Sequence, residues 1–216
     1  MRMRLLRVTA ALLSPVVSDH DLHLDAMLAF RRTVDIKIPL IRVRALGHQV
    51  WMSTAWDLPI GAELIPVHLT SRKDAEDIVQ RARAYTPNSG PGRNRMVRRM
   101  AIASPSATWH VCGNRREVRK ALAIVDHIGS MRRHGYGRVG EWAIEDIGDP
   151  RQLLTDARGQ TLRHIPAGWV EEPCTLVSQG AYRAPYWHPG SWSAIVRSGV
   201  SVTLRPEVMD ACASAI

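Results

Sequence analysis

Within Ile128–Trp142 (IGSMRRHGYGRVGEW), Gly129, Gly135, Gly137 and Gly140 interleave with Arg132, Arg133, His134 and Arg138 around Tyr136. Glycine lets a backbone take positive φ and approach a ligand closely. The N–H groups of such a loop form anion-binding concavities. Arginine supplies a planar fork of donors that fits phosphate, and tyrosine supplies a face for stacking a base. The chemistry expected of this stretch is a grip on RNA.

Ser89–Met100 (SGPGRNRMVRRM) carries Arg93, Arg95, Arg98 and Arg99 with no acid to offset them. It reads as a phosphate clamp, or as a solvated loop. Arg115, Arg116, Arg119 and Lys120 mark the start of a helix and are either a third basic surface or a solvated face. His127, His134, Tyr136 and Lys120 are the residues for the rival chemistry, metal-independent cleavage of RNA through its 2′-hydroxyl. His20, His23 and Asp25 (HDLHLD) tempt a metal assignment. No thiolate lies near, so capping and buried hydrogen-bonding roles are expected instead, and no metal or other cofactor is assigned. No Ser-His-Asp order, phosphate-binding P-loop or paired-carboxylate pattern stands out.

The totals favour a polyanionic partner. Lys and Arg number 29 against 20 Asp and Glu, for a net charge of +9. Lys37, Lys73 and Lys120 are the only lysines, so the charge is mostly guanidinium. A basic domain of this kind points first to nucleic acid. Cys112, Cys174 and Cys212 are far apart and odd in number, which fits a reducing cytoplasm better than a disulfide framework. The N-terminus resembles a signal peptide superficially, but Arg7 interrupts the apolar run and Ser14-Pro15 ends it, so a first strand is expected. No apolar run reaches membrane-spanning length.

Elements must position these residues. The pattern predicts a strand over 3–13 and a short helix over 22–30 behind Asp19 and Asp21. A hairpin is expected around Gly47-His48, a polar helix over 73–85, and strands over 96–104 and 107–112. Asn114 caps a helix expected to run over 115–129, with Val118, Ala121, Leu122, Val125 and Ile128 on one face and Gly129 as its stop. A strand follows over 138–147. The remainder is loop-rich, with strand candidates at 192–197 and 200–204. The fold class this implies is α+β: a ferredoxin-like, RNA-recognition-motif-like sheet packed on two helices, with hairpin insertions. Residues 1–147 would form that domain and 148–216 an extension packed on it.

The chain resembles the type IV CRISPR-associated RAMP protein, the small Cas-five-like subunit of class 1 effector complexes. SPVVSDHDLHLDAMLAF is similar to that group's turn and "LHLDALL" helix, and NSGPGRNRM to its "SGPYK" loop. GNRREVRKALAIVDHIGSMRRHGYGRVGEWAIEDI is similar to its helix, "GKKRSQGYGRV" loop and strand, and YRAPYWHP to "RPPYW". The resemblance implies a non-catalytic RNA-binding subunit of a cytoplasmic ribonucleoprotein. That subunit holds the 5′ handle of the CRISPR RNA and caps a filament of Cas-seven-like subunits. Its other partners would be a large Cas-eight-like subunit and, through the guide, target DNA. By match to the family loop, Gly129, Arg132, Arg133, Gly135, Tyr136, Gly137 and Arg138 would contact RNA. Arg93 and Arg95 take the basic position of the SGP loop, where Gly-Arg-Asn-Arg replaces Tyr-Lys.

Overall fold

The computed structural model describes residues 2–29, 38–71, 95–172 and 176–216. The helix expected over 73–85, Arg93 and Cys174 lie outside them.

Strand β1 (Arg4–Leu12) is the centre of the first sheet. Its alternation buries Leu6, Val8 and Ala10 completely and leaves Arg7 outside, where it pairs with Glu145 at 2.8 Å. β2 (Val16–Val17) follows the Ser14-Pro15 turn. Helix α1 (Leu24–Leu28) comes next, shorter than expected and entered from His23 without a side-chain cap, so Asp19 and Asp21 do not cap it. β3 (Arg42–Ala45) and β4 (His48–Trp51) form the expected hairpin. Its two-residue turn is Leu46-Gly47, both at positive φ (48° and 77°), which matches the twist of the flanking strands. β5 (Glu63–Ser71) and β6 (Arg95–Ala103) pair along their whole length, and β2 adds to the far side of β6. β7 (Ser106–Gly113) and β8 (Val139–Gly148) both run antiparallel to β1. They are therefore parallel to each other, with β1 between them and α2 (Arg115–Leu122) in the crossover. On the other edge of β7, residues 53–57 add an irregular fourth strand through bridges at Ser53–Val111 and Asp57–Thr108. The protein is thus a mixed α and β structure whose sheets are built from antiparallel pairings.

α1 and α2 cover one face of this sheet. Leu24, Met27 and Leu28 meet Val118, Ala121 and Leu122 over Leu6, Val8 and Trp109. Trp109 is fully buried and its indole donates to Leu22 O at 2.8 Å, which ties the sheet to the chain entering α1. A second core lies under the β3–β4 hairpin. There Val43, Val50 and Met52 pack with Leu153, Leu154, Ile165, Trp169 and Val196. The second core also takes in β9 (Ile165–Pro166), β11 (Trp192–Val196), to which β10 (Val177–Ala181) pairs, and helix α3 (Pro206–Ala215), the last through Val208 and Cys212.

Two expectations are corrected. Helix α2 begins at its Asn114 cap, whose side chain accepts from Glu117 N at 3.0 Å, but it ends at Leu122 and not at 129. Val139 N donates to Asp126 O and Ile128 N to Gly137 O, both at 2.8 Å, so residues 126–128 pair with the chain entering β8 instead of continuing the helix. Val125 and Ile128 are still buried, as their spacing predicts. Residues 200–204 make only isolated bridges, from Ser201 to Gln160 and from Leu204 to Val170, and are not a strand.

Candidate nucleic-acid interface

The glycine-rich loop is fixed from below by the turn that ends β1. Ser130 N donates to Val17 O at 2.7 Å, Gly137 N to Pro15 O at 2.8 Å, and Arg138 N to Ser14 Oγ at 2.9 Å. Leu13 N returns a bond to Arg138 O at 2.8 Å. The Ser-Pro turn and the glycine loop, distant in sequence, are one structure.

Two glycines are sterically required. Gly137 has φ +68°, and a Cβ there would stand 1.9 Å from Ile128 O. Gly129 has φ +73°, with Val17 O only 2.6 Å from the same virtual atom. Gly135 (φ +82°) has open space around it and serves the turn alone. Between Gly129 and Gly135, Arg132–His134 form one 3-10 turn. Arg133, His134 and Arg138 are exposed and Arg132 is half-buried, so the basic groups stand on a backbone whose shape is set in advance. Because α2 stops at Leu122, the loop is entered from residues 126–128, paired with the chain leading into β8, and not directly from a helix C-terminus.

Tyr136 is half-buried and packs with Met131 on Val17, Val67 and Ala101. It fastens the loop to the β5–β6 ribbon, which brings the second basic segment close. Val17 pairs with Ala101 of β6, and Arg98 and Arg99 lie just before it, both exposed. Arg99 is ion-paired to Asp19 at 2.8 Å. Arg95 begins β6. Arg115, Arg116, Arg119 and Lys120 are exposed on α2, with Lys120 paired to Glu117 at 3.1 Å. They form a surface on a different element from the loop.

Of the residues of the cleavage chemistry, His134 is exposed on the 3-10 turn and the other three have separate partners. Lys120 is on Glu117, Tyr136 is packed on the ribbon, and His127 pairs with its neighbour Asp126 at 3.2 Å and bridges to Arg138.

The HDLHLD segment and the YRAPYWHP segment meet in a buried polar network organised by Arg163. Arg163 and Asp25 are both fully buried and 3.4 Å apart. The guanidinium also donates to Trp51 O, to Ser53 O at 3.1 Å, to Tyr182 O at 2.8 Å and to the Tyr186 hydroxyl at 3.2 Å. Tyr186 in turn donates to Asp25 at 3.2 Å. His23 stacks on Tyr186 and accepts from His164 N at 3.2 Å, while His164 bonds Asp21 at 3.2 Å. Burial sets the protonation of this group. It pushes the Asp25 carboxyl up against the pull of Arg163, the Tyr186 phenol well up, and the His23 imidazole well below its ordinary value, helped by the nearby Arg163 charge. The buried hydrogen-bonding role expected of His23 and Asp25 is what they have. Sequence reasoning missed Arg163, their partner: a lone arginine in a loop-rich stretch carries no local mark of burial.

A family model described as CRISPR type IV associated protein Csf3 matches residues 60–196, more than half of the chain. The matched span covers the β5–β6 ribbon, α2, the glycine loop and the YRAPYWHP segment, and leaves β1 and HDLHLD outside. A comparison with curated proteins finds no match.

Proposed function

The chain belongs to the Csf3 family of type IV CRISPR-associated proteins, and from that premise we propose that it is a non-catalytic, RNA-binding component of a type IV effector, holding the 5′ handle of the CRISPR RNA at one end of a Cas-seven-like filament. The observation that carries this reading is the pre-shaped loop: Arg133, His134 and Arg138 exposed on a backbone locked to Ser14, Pro15 and Val17. Phosphate contacts of this kind position a strand without reading its sequence. The antiparallel order of 53–57, β7, β1 and β8, with two helices on one face, supports a ferredoxin-like RAMP domain as the scaffold. The Cas-eight-like subunit and target DNA are partners of the assembled complex in this reading.

Binding of a type IV repeat-derived RNA, measured against salt, tests it. Neutralising Arg132 and Arg133 together lowers both the affinity and the slope of log K against log salt, by roughly 0.7–0.9 for each phosphate that no longer meets a guanidinium. An unchanged slope would sink the loop as the grip. Incubating the same RNA with the protein in EDTA tests the non-catalytic part. Site-specific cleavage that disappears in His134→Ala would replace the scaffold reading with an endoribonuclease.

A further inference from the structure

Beside the loop, a cleft of about 420 Å³ opens between Ser18–Asp21 and the β10–β11 sheet. That volume suits a small ring system. Its apolar lining includes Trp56, Leu58, Ile102 and Trp192. Trp192 is 56% exposed, unusual for so large an apolar ring, yet it is not loose: its indole N–H donates to Tyr186 O at 2.9 Å. An aromatic face held open by its own hydrogen bond is a prepared stacking surface.

The polar lining narrows the ligand. Asp19 and Asp21 both border the cleft, Asp19 paired to Arg99 and Asp21 bonded to His164 and Ser198. The His164 bond, with that from Ser198, holds the Asp21 carboxyl below its ordinary range, so it stays anionic at neutral pH. Arg197 also lines the cleft and, with Arg99, offsets the charge of the two carboxylates, which still accept N–H donors; Gln179 offers a further donor and acceptor. A flat, uncharged ring with N–H groups on its edge satisfies all of these surfaces. A second cleft of about 330 Å³ shares Ser18–Asp21 and Tyr186 with the first and reaches Gly129, Ser130 and Arg132. A strand gripped at the loop thus passes beside the Trp192 cleft.

We propose that this cleft receives one unpaired nucleobase of single-stranded RNA, stacked on Trp192 with its edge toward Asp21 and Gln179. The proposal rests on the RNA-binding reading above. Its test compares a short unstructured oligoribonucleotide with a base-free ribose-phosphate oligomer of equal length. Trp192→Ala weakens binding of the first by about 5- to 150-fold, the range for losing one stacked base, and leaves binding of the second and the salt slope unchanged. Trp192→Phe keeps an aromatic face and restores most of the affinity. As an independent readout, adenosine quenches part of the tryptophan fluorescence of the native protein, and Trp192→Phe, with Trp56 still lining the cleft, loses the share due to Trp192. If both oligomers bind Trp192→Ala as they bind the native protein, or adenosine quenches Trp192→Phe as much as it quenches the native protein, the nucleobase site is overturned while RNA binding stands. If neither oligomer binds the native protein, the RNA-binding reading itself falls.

Discussion

Arg163 and Arg133 carry the same guanidinium into opposite surroundings. Arg163 is sealed among Asp25, Tyr186 and four backbone carbonyls. Arg133 stands exposed on a turn held from below by main-chain and serine hydrogen bonds and by the packing of Tyr136. The first arrangement consumes every donor in joining the α1 region to the YRAPYWHP segment. The second fixes the backbone without using the charge. A surplus of arginine therefore speaks for two separate properties, a polar core and a polyanion-binding surface, and substitution separates them.

The largest effect belongs to the buried side. Arg163→Met strands the Asp25 carboxyl, and such a loss costs about 3–5 kcal/mol; denaturant unfolding measures it. Arg163→Met combined with Asp25→Asn costs less than the single change, and equal costs would mean the pair is not coupled. Next comes Gly137→Ala, at least about 2 kcal/mol, because a left-handed penalty of about 1–2 kcal/mol is joined by a clash with Ile128 O. Gly135→Ala, in open space, carries the left-handed penalty alone. If the two variants unfold alike, the close approach at Gly137 is not real.

His23 gives a smaller, pH-dependent effect. Its imidazole is held neutral in the folded state, so unfolding takes up a proton below the ordinary histidine value of about 6.5. Stability due to His23 is complete above that value and falls as pH drops toward the lowered folded value, by up to about 1.4 kcal/mol per pH unit. Comparing the pH dependence of unfolding in the native protein and in His23→Gln isolates this contribution. Matching slopes would show that His23 does not titrate on unfolding. The smallest structural effect is at the loop. Arg133→Gln leaves the unfolding midpoint in place while it weakens RNA binding, and a shifted midpoint would place that arginine with Arg163 instead of opposite it.

Local signals in the sequence were reliable where a single physical rule decides. Asn114 caps a helix, Ser14-Pro15 ends β1, and a glycine turn makes the β3–β4 hairpin. They failed where distant partners decide. The apolar spacing of Val125 and Ile128 is helical, but hydrogen bonds to the chain entering β8 win over it. β5 escapes notice because Pro66 argues against a strand, though β5 is an edge strand and edges tolerate proline. α3 shows its mark in retrospect, Pro206 at the first helical position. In the candidate site, the glycine and arginine positions were readable from the sequence. The support from Ser14, Pro15 and Val17 was not, and neither was the anchoring role of Tyr136, because both depend on contacts across more than a hundred residues of chain or with another sheet.

The clamp on the glycine loop also sets an order of events at the ribosome. Its bonds join Val17 to Ser130 and Ser14 to Arg138, residues 113 and 124 apart. Contacts of such separation form late, after the intervening chain has been made and threaded into place. The turn that shapes the grip is synthesised well before the loop it holds and waits for its partner. A nascent chain has its basic residues well before it has this surface, so RNA held in the folded geometry is held only by a chain whose first and second halves have already met.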